Sequence, residues 1–93
     1  MYLRLVRFAL NETGRAKAQG MADDLTAAIK QQPGCKSAAF FGDDDGESGL
    51  CVLWDSQEHA DAAAGVIGPR LQGHLAGNVS GEPDRRLFRV LAG

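Results

Sequence analysis

The segment 49–65, "GLCVLWDSQEHADAAAG", brings one tryptophan, two carboxylates and one histidine within six positions. The indole of Trp54 can stack on an aromatic ligand. The imidazole of His59 can take a proton near neutral pH. The segment therefore contains the residue types of a small acid–base site.

The same segment also has a purely structural interpretation. Asp55 or Ser56 can cap the start of a helix, and Asp55 with Glu58 three residues later resembles a capping box. Both carboxylates would then bind backbone amides. His59 would face solvent in a capped first turn, and Trp54 would be a core residue at the end of a strand. We expect this junction to account for most of the cluster.

Arginines near both ends of the chain add candidates for binding an anion. Arg4 and Arg7 lie in the first apolar run, "YLRLVRFAL", and a guanidinium can hold an anionic substrate. Each can instead pair with an acid across a dimer or lie along a sheet edge. The same alternative holds for Arg85, Arg86 and Arg89 near the end of the chain.

Length and composition predict one small globular domain over 1–93. Apolar residues make up 44% of the chain and charged residues 24%, which is typical of a folded protein rather than a disordered one. Ten Lys and Arg residues stand against twelve Asp and Glu residues. Because nucleic-acid binding needs an excess of positive charge, we expect no nucleic-acid partner.

The sequence further predicts a cytoplasmic protein with no membrane partner. No stretch approaches the roughly 20 apolar residues of a membrane span. The opening "MYLRLVRFAL" holds two arginines and no cleavage site of small residues, unlike a secretory signal. Cys35 and Cys51 lack the spacing of a zinc or redox motif, so free thiols in a reducing compartment are the simplest interpretation.

The first half of the chain predicts a strand and an amphipathic helix. The run "YLRLVRFAL" is rich in residues that favour strands. Apolar residues recur at steps of three and four over 13–32, as on one face of a helix. Asn11 or Thr13 can cap its start, and Pro33 followed by Gly34 should end it.

Two further strands and a second helix follow. The runs "CKSAAFF" and "GLCVLW" predict a hairpin joined by "GDDDGES". This loop lacks the spacing of a calcium-binding EF-hand, because Phe41 and Val52 would occupy the first and last ligand positions. Gly68 and Pro69 should break or kink the second helix. After a loop, "RRLFRVL" predicts the fourth strand.

The order β-α-β-β-α-β predicts a ferredoxin-like α+β fold, with both helices on one face of a four-stranded antiparallel sheet. Strand residues of both parities are largely apolar, as in "AAFF" and "LCVLW". The face without helices therefore also needs cover, and a second copy of the sheet is the simplest one. The sequence thus predicts a homodimer.

At this point the sequence resembles the antibiotic biosynthesis monooxygenase family of dimeric α+β barrels. The resemblance rests on the "PGC" turn, the "LWDSQEHADAA" junction and the final "SGEPDRRLFRVL". It implies a homodimer whose two sheets close into a barrel, with a pocket in each subunit between its sheet and its helices. Members of the family include cofactor-free oxygenases of aromatic polyketides and haem-degrading enzymes.

The haem-degrading branch fits this sequence poorly. The resemblance to that branch would require an asparagine on the first strand, a tryptophan like Trp54 and an iron-binding histidine on the second helix. Only Trp54 matches, because no asparagine precedes Asn11, while His59 lies in the first turn and His74 beyond the expected break. We therefore expect neither haem nor another metal or organic cofactor.

The polyketide-oxygenase branch implies that a phenolate or carbanion passes an electron to oxygen once the pocket stabilises its negative charge. On this interpretation the catalytic candidates are His59 and Arg7. The candidates for contact with an aromatic, polyketide-like ligand are Trp54, Phe41, Arg4 and His74.

A noncatalytic dimeric module that binds a small apolar ligand, or only pairs with itself, is the alternative. A pocket with room for two or three rings, reached by a histidine or an arginine, would favour the enzyme. A pocket filled by Phe40, Phe41 and Trp54 would favour the module.

Overall fold

The computed structural model describes all of residues 1–93 and contains four strands and two helices in the expected order. The elements are β1 (Tyr2–Leu10), α1 (Glu12–Lys30), β2 (Cys35–Gly42), β3 (Glu47–Trp54), α2 (Gln57–Leu75) and β4 (Val79–Arg89). The strands form one antiparallel sheet in the order β2-β3-β1-β4. The predicted ferredoxin-like α+β fold is confirmed, while its closure into a dimeric barrel stays a prediction.

Alternation along the strands gives the sheet one face under the helices and one without them. The core under the helices includes Val6, Phe8, Leu50 and Trp54, which are buried. On the other face, antiparallel pairing places Leu3 beside Leu53 and Phe88, and Leu5 beside Cys51. We call this second surface the open sheet face.

Helix α1 begins at a side-chain cap, and a glycine turns the chain after its end. The Asn11 Oδ1 accepts a hydrogen bond from the backbone N–H of Gly14 at 2.9 Å, which identifies Asn11 rather than Thr13 as the cap. The helix ends at Lys30, and Gly34 then turns the chain with a φ of 84°. Neither helix of the protein is long and apolar enough to cross a membrane.

Helix α2 corrects two of the sequence predictions. Ser56 caps it, accepting the backbone N–H of His59 at 3.1 Å. The predicted capping box does not form, because the Asp55 carboxylate binds the ring of His59 instead. Helix α2 also continues through Pro69, so the expected break is wrong, while a kink at this point stays a prediction.

Packing explains why Pro69 is tolerated inside α2. The helix buries a stripe of apolar side chains on both sides of the proline: Ala60, Ala63, Ile67, Leu71 and Leu75. Pro69 itself is exposed, and so is Gly65, whose carbonyl loses its helical partner there. That carbonyl lies on the side open to water, so the helix loses one hydrogen bond without burying an unpaired group.

Strand β4 begins earlier than the sequence predicts. The segment "GNVSGEPD" was expected to be a loop, yet Val79 and Ser80 pair with Leu10 and Ala9 of β1. The register shifts between Arg7 and Ala9, where β4 carries an irregularity that includes Gly81 at a φ of 78°. A β-bulge accommodates the turn residues, so the strand continues past them.

The two helices are joined across their exposed sides by one charged cluster. The Asp24 carboxylate of α1 accepts hydrogen bonds from Arg70 Nε at 2.9 Å and from Arg70 Nη2. It also lies 2.6 Å from His74 Nε2. Hydrogen bonding to Arg70, and then to His74, holds the pKa of Asp24 well below its usual range.

This cluster predicts a specific dependence of stability on pH. A carboxyl with a depressed folded-state pKa stabilises the fold above its ordinary pKa of about 3.8 and loses that contribution as pH falls further. The melting-temperature difference between the wild type and Asp24→Asn should therefore persist from pH 7 to about pH 5 and shrink from about pH 4 down to pH 2. Asp23→Asn, at the neighbouring position, is the control. A wild-type advantage over Asp24→Asn that is constant from pH 7 to pH 2 would contradict this role.

Candidate functional site

A small apolar cavity lies between the sheet and α2, where the sequence resemblance implied a pocket. Its volume is about 70 Å³. Large side chains of β1 and β3 form the sheet side: Val6, Leu50, Val52 and Trp54. The helix side consists mostly of small residues, namely Ala60, Ala63, Ala64 and Gly68, together with Ile67 and Leu71. The small side chains of α2 create the space.

Trp54 is the most informative of the residues that line this cavity. The residue is only 3% exposed, in agreement with its prediction as a core residue at a strand end. Its indole Nε1 is buried and has no hydrogen-bond acceptor among the protein's own atoms. Buried N–H groups nearly always have a partner. Trp54 is therefore a cavity-lining residue with an unpaired buried donor.

The charged residues on the cavity wall are two arginines, Arg4 and Arg85. Arg4 extends from β1 and lies 3.6 Å from the Asp61 carboxylate of α2, with 23% of its side chain exposed. Arg85 extends from β4, where it pairs with Val6, and forms no ion pair. The cavity is thus apolar inside and positively charged at its edge.

Arg7 does not reach this cavity, contrary to the role considered for it. It follows Val6 on β1 and lies on the open sheet face, because successive strand residues point to opposite sides. Its Nη2 is 2.7 Å from Glu47 Oε1, and about half of its side chain is exposed. Of the two arginines of β1, only Arg4 can contact a ligand between the sheet and the helices.

His59 lies outside the cavity as well. Its Nδ1 is 2.6 Å from Asp55 Oδ1, and the pair packs beside the backbone of Gly34. Hydrogen bonding to His59 lowers the pKa of Asp55. The imidazole therefore fastens the start of α2 to the turn after α1, where it has no access to a ligand in the cavity.

The two remaining candidates do not line the cavity either. His74 belongs to the cluster on Asp24, on the outer side of the helices. Phe41 lies on the open sheet face, with its ring over Gly49 of β3, and is 39% exposed. Of the six residues proposed from the sequence, the structure brings Trp54 and Arg4 to the cavity.

Sequence reasoning did not predict that Arg85 and the small residues of α2 would line the cavity. Arg85 was grouped with Arg86 and Arg89, for which a structural role was preferred to anion binding. The alternation of side chains along β4 could have indicated this position, because Arg85 lies on the same face as Leu87, which is partly buried against the core. The alanines of α2 were interpreted as an ordinary buried stripe. A sequence pattern does not distinguish an alanine that is packed in the core from one that leaves a cavity beside it.

Comparison with known proteins supports the fold. No family model and no curated protein matches this sequence. Among solved structures, SnoaB, a cofactor-independent oxygenase from Streptomyces nogalater, has a TM-score of 0.80 at 14% identity, covering 99% of this chain and 94% of its own. A Nitrosomonas europaea protein with the provisional name antibiotic biosynthesis monooxygenase has a TM-score of 0.84 at 13% identity, covering 99% and 100%.

A third structure is similar at somewhat higher identity. A conserved protein of unknown function from Bacteroides thetaiotaomicron is 25% identical, with a TM-score of 0.77 and coverage of 94% of this chain and 95% of its own. Several of the matching structures carry the monooxygenase name. The resemblance drawn from the sequence is therefore confirmed at the level of the fold.

The unpartnered Trp54 N–H predicts how two substitutions will differ in stability. Trp54→Phe removes the N–H without breaking any hydrogen bond within the protein, so it should cost only about 1 kcal/mol for the lost volume. Trp54→Ala should cost about 3–5 kcal/mol, because it empties the core. Urea unfolding followed by circular dichroism measures both. Equal losses for the two variants would mean that the N–H is bonded within the fold.

Proposed function

We propose that the protein is a homodimeric oxygenase that uses no cofactor and oxidises an electron-rich aromatic or polyketide-like anion in the cavity between sheet and helices. The observation that carries the proposal is the buried N–H of Trp54, which has no acceptor within the protein and belongs to a residue that lines an apolar cavity. A phenolate or enolate oxygen supplies such an acceptor. Arg4 and Arg85 at the edge of the cavity attract the same negative charge.

The reaction balances without a metal or an organic cofactor. An anthrone-type substrate loses a proton to give a carbanion, which transfers an electron to O₂, and the two radicals combine. Loss of water then gives the quinone, so one oxygen atom enters the product and the other leaves as water with the two methylene hydrogens. The protein's contribution is to stabilise the substrate anion. His59 does not line the cavity, so the proton passes to solvent.

Self-association is the second part of the proposal. The middle of the open sheet face is apolar, with Leu3, Leu5, Leu53 and Phe88 side by side. Its charged residues already have partners on the same face, since Arg7 binds Glu47 and Arg86 binds Asp84 at 3.1 Å. A second copy of this face can therefore cover it without burying an unpaired charge.

A noncatalytic dimer that binds a small molecule is the alternative function. A cavity of about 70 Å³ is smaller than the roughly 150 Å³ that admits benzene. None of the residues on its wall can act as a general base at neutral pH, because the titratable ones are arginines. The missing base favours a binding protein, while the small volume counts against both functions unless the cavity opens.

The dimer is tested by its mass in solution. Light scattering at micromolar concentration should give about twice the chain mass of 9.9 kDa. Phe88→Glu should give the monomer mass with a folded circular dichroism spectrum, because Phe88 is 45% exposed in the single subunit. Val66→Glu is the matched control, since Val66 is an exposed apolar residue on α2. A folded wild type at the monomer mass would remove the dimer from the proposal.

The chemistry is tested by oxygen consumption with a panel of electron-rich phenols and anthrones. The metal-free protein should exceed a bovine albumin control on at least one compound. Arg4→Met should lower that rate about tenfold, because it removes positive charge from the cavity edge. Arg7→Met, which changes the other arginine of β1, should keep the rate of the wild type. Rates equal to albumin for every compound would favour the noncatalytic module.

A further inference from the structure

The cavity beside Trp54 has a larger neighbour. An open groove of about 330 Å³ lies between α2 and the edge strand β4. Four residues line both spaces: Ala64, Gly68 and Leu71 of α2, and Arg85 of β4. The two spaces are therefore adjacent, and Arg85 is the long side chain at their common boundary.

No ion pair or side-chain hydrogen bond holds Arg85 at this boundary. Its guanidinium lies over Gly68, where an added methyl group would be 3.3 Å from Nη2. The missing side chain at Gly68 lets the guanidinium approach the helix backbone. Arg85 is exposed and makes no ion pair or side-chain hydrogen bond. No such bond has to break when its side chain moves away.

The charged residues that line the cavity and the groove are all positive. None of the residues on either wall is acidic. Arg4 shares its charge with Asp61, and the nearest acid along β4, Asp84, binds Arg86 on the other face. Arg85 is thus an unneutralised guanidinium on the wall of an apolar site, in a chain whose net charge is −2. Such a group favours a carboxylate or another oxyanion.

We propose that the cavity and the groove form one ligand site and that Arg85 is both its gate and its specificity-determining residue. The site takes an aromatic molecule that carries an anionic group. The ring passes Arg85 to lie beside Trp54, and the anionic group binds the displaced guanidinium. The opened site exceeds the lower limit of roughly 300 Å³ for small-molecule pockets. This inference rests on the proposed function for the place of the ligand and requires no reaction.

The test uses Trp54 as its reporter. Trp54 is the only tryptophan of the chain, so the indole N–H gives a single resonance in a nitrogen–proton correlation spectrum. The probes are naphthalene-2-carboxylate and its neutral amide, which have the same ring and nearly the same shape. Both should shift the indole resonance, and the wild type should bind the carboxylate about fivefold more tightly than the amide.

Two substitutions at Arg85 separate its charge from its bulk. Arg85→Met keeps the length and removes the charge, so the preference for the carboxylate should disappear with the amide affinity unchanged. Arg85→Ala also removes the obstruction, so the amide should bind more tightly than it does to the wild type. Arg89→Met is the control on the same strand, since Arg89 lines neither space, and it should keep the wild-type preference.

Each result decides a different point. A carboxylate preference that survives Arg85→Met overturns the assignment of the anion to Arg85, and an unchanged amide affinity in Arg85→Ala overturns the gate. An indole resonance that neither probe shifts overturns the shared site, even if the protein consumes oxygen with a phenol. The expected binding pattern without any oxygen consumption would uphold this inference while removing the oxygenase.

Discussion

The packing of small α2 side chains against large side chains of the sheet determines both the core and the candidate site. Ala60 and Ala63 are almost completely buried, and they bring the helix close to β1 and β3. Together with Ala64 and Gly68, the same two residues also line the cavity. The core and the cavity are thus two outcomes of one stripe of small residues.

Trp54 shows what this arrangement costs the fold. Burying an aromatic ring removes about 150–250 Å² from water, which favours folding by roughly 4–6 kcal/mol at about 25 cal/mol per Å². A buried N–H without a partner costs about 1–3 kcal/mol. The ring is therefore stably buried in spite of its N–H. The remaining penalty is one that a ligand with an acceptor atom can relieve.

The order of the elements could be predicted because it depends on local patterns. Steps of three and four residues identify α1, and Asn11 and Gly34 mark its two ends. The errors occurred where packing outweighs local preference. Helix α2 continues through Pro69 because it is buried on both sides of the proline, and β4 starts early because a bulge absorbs its turn residues.

The site was harder to predict, because a strand pattern does not say which face is covered when both faces are apolar. Leu3 and Leu5 alternate with Val6 and Phe8, so Arg4 and Arg7 were equivalent candidates until the fold placed the helices over one of them. His59 illustrates a second limit of sequence patterns. Its residue type suggested chemistry, whereas its contact with Asp55 shows that it secures a helix terminus.

The edge strand β4 connects the proposed ligand site with the proposed dimer. Arg85 lies on the helix side of this strand, while Arg86 and Phe88 lie on the open sheet face. A partner subunit on that face would hold the β4 backbone from behind, since β4 otherwise pairs only with β1. The Arg85 side chain would remain free to move over Gly68. Self-association would then hold the β4 backbone in place while the Arg85 side chain moves, although the two faces share no side chain.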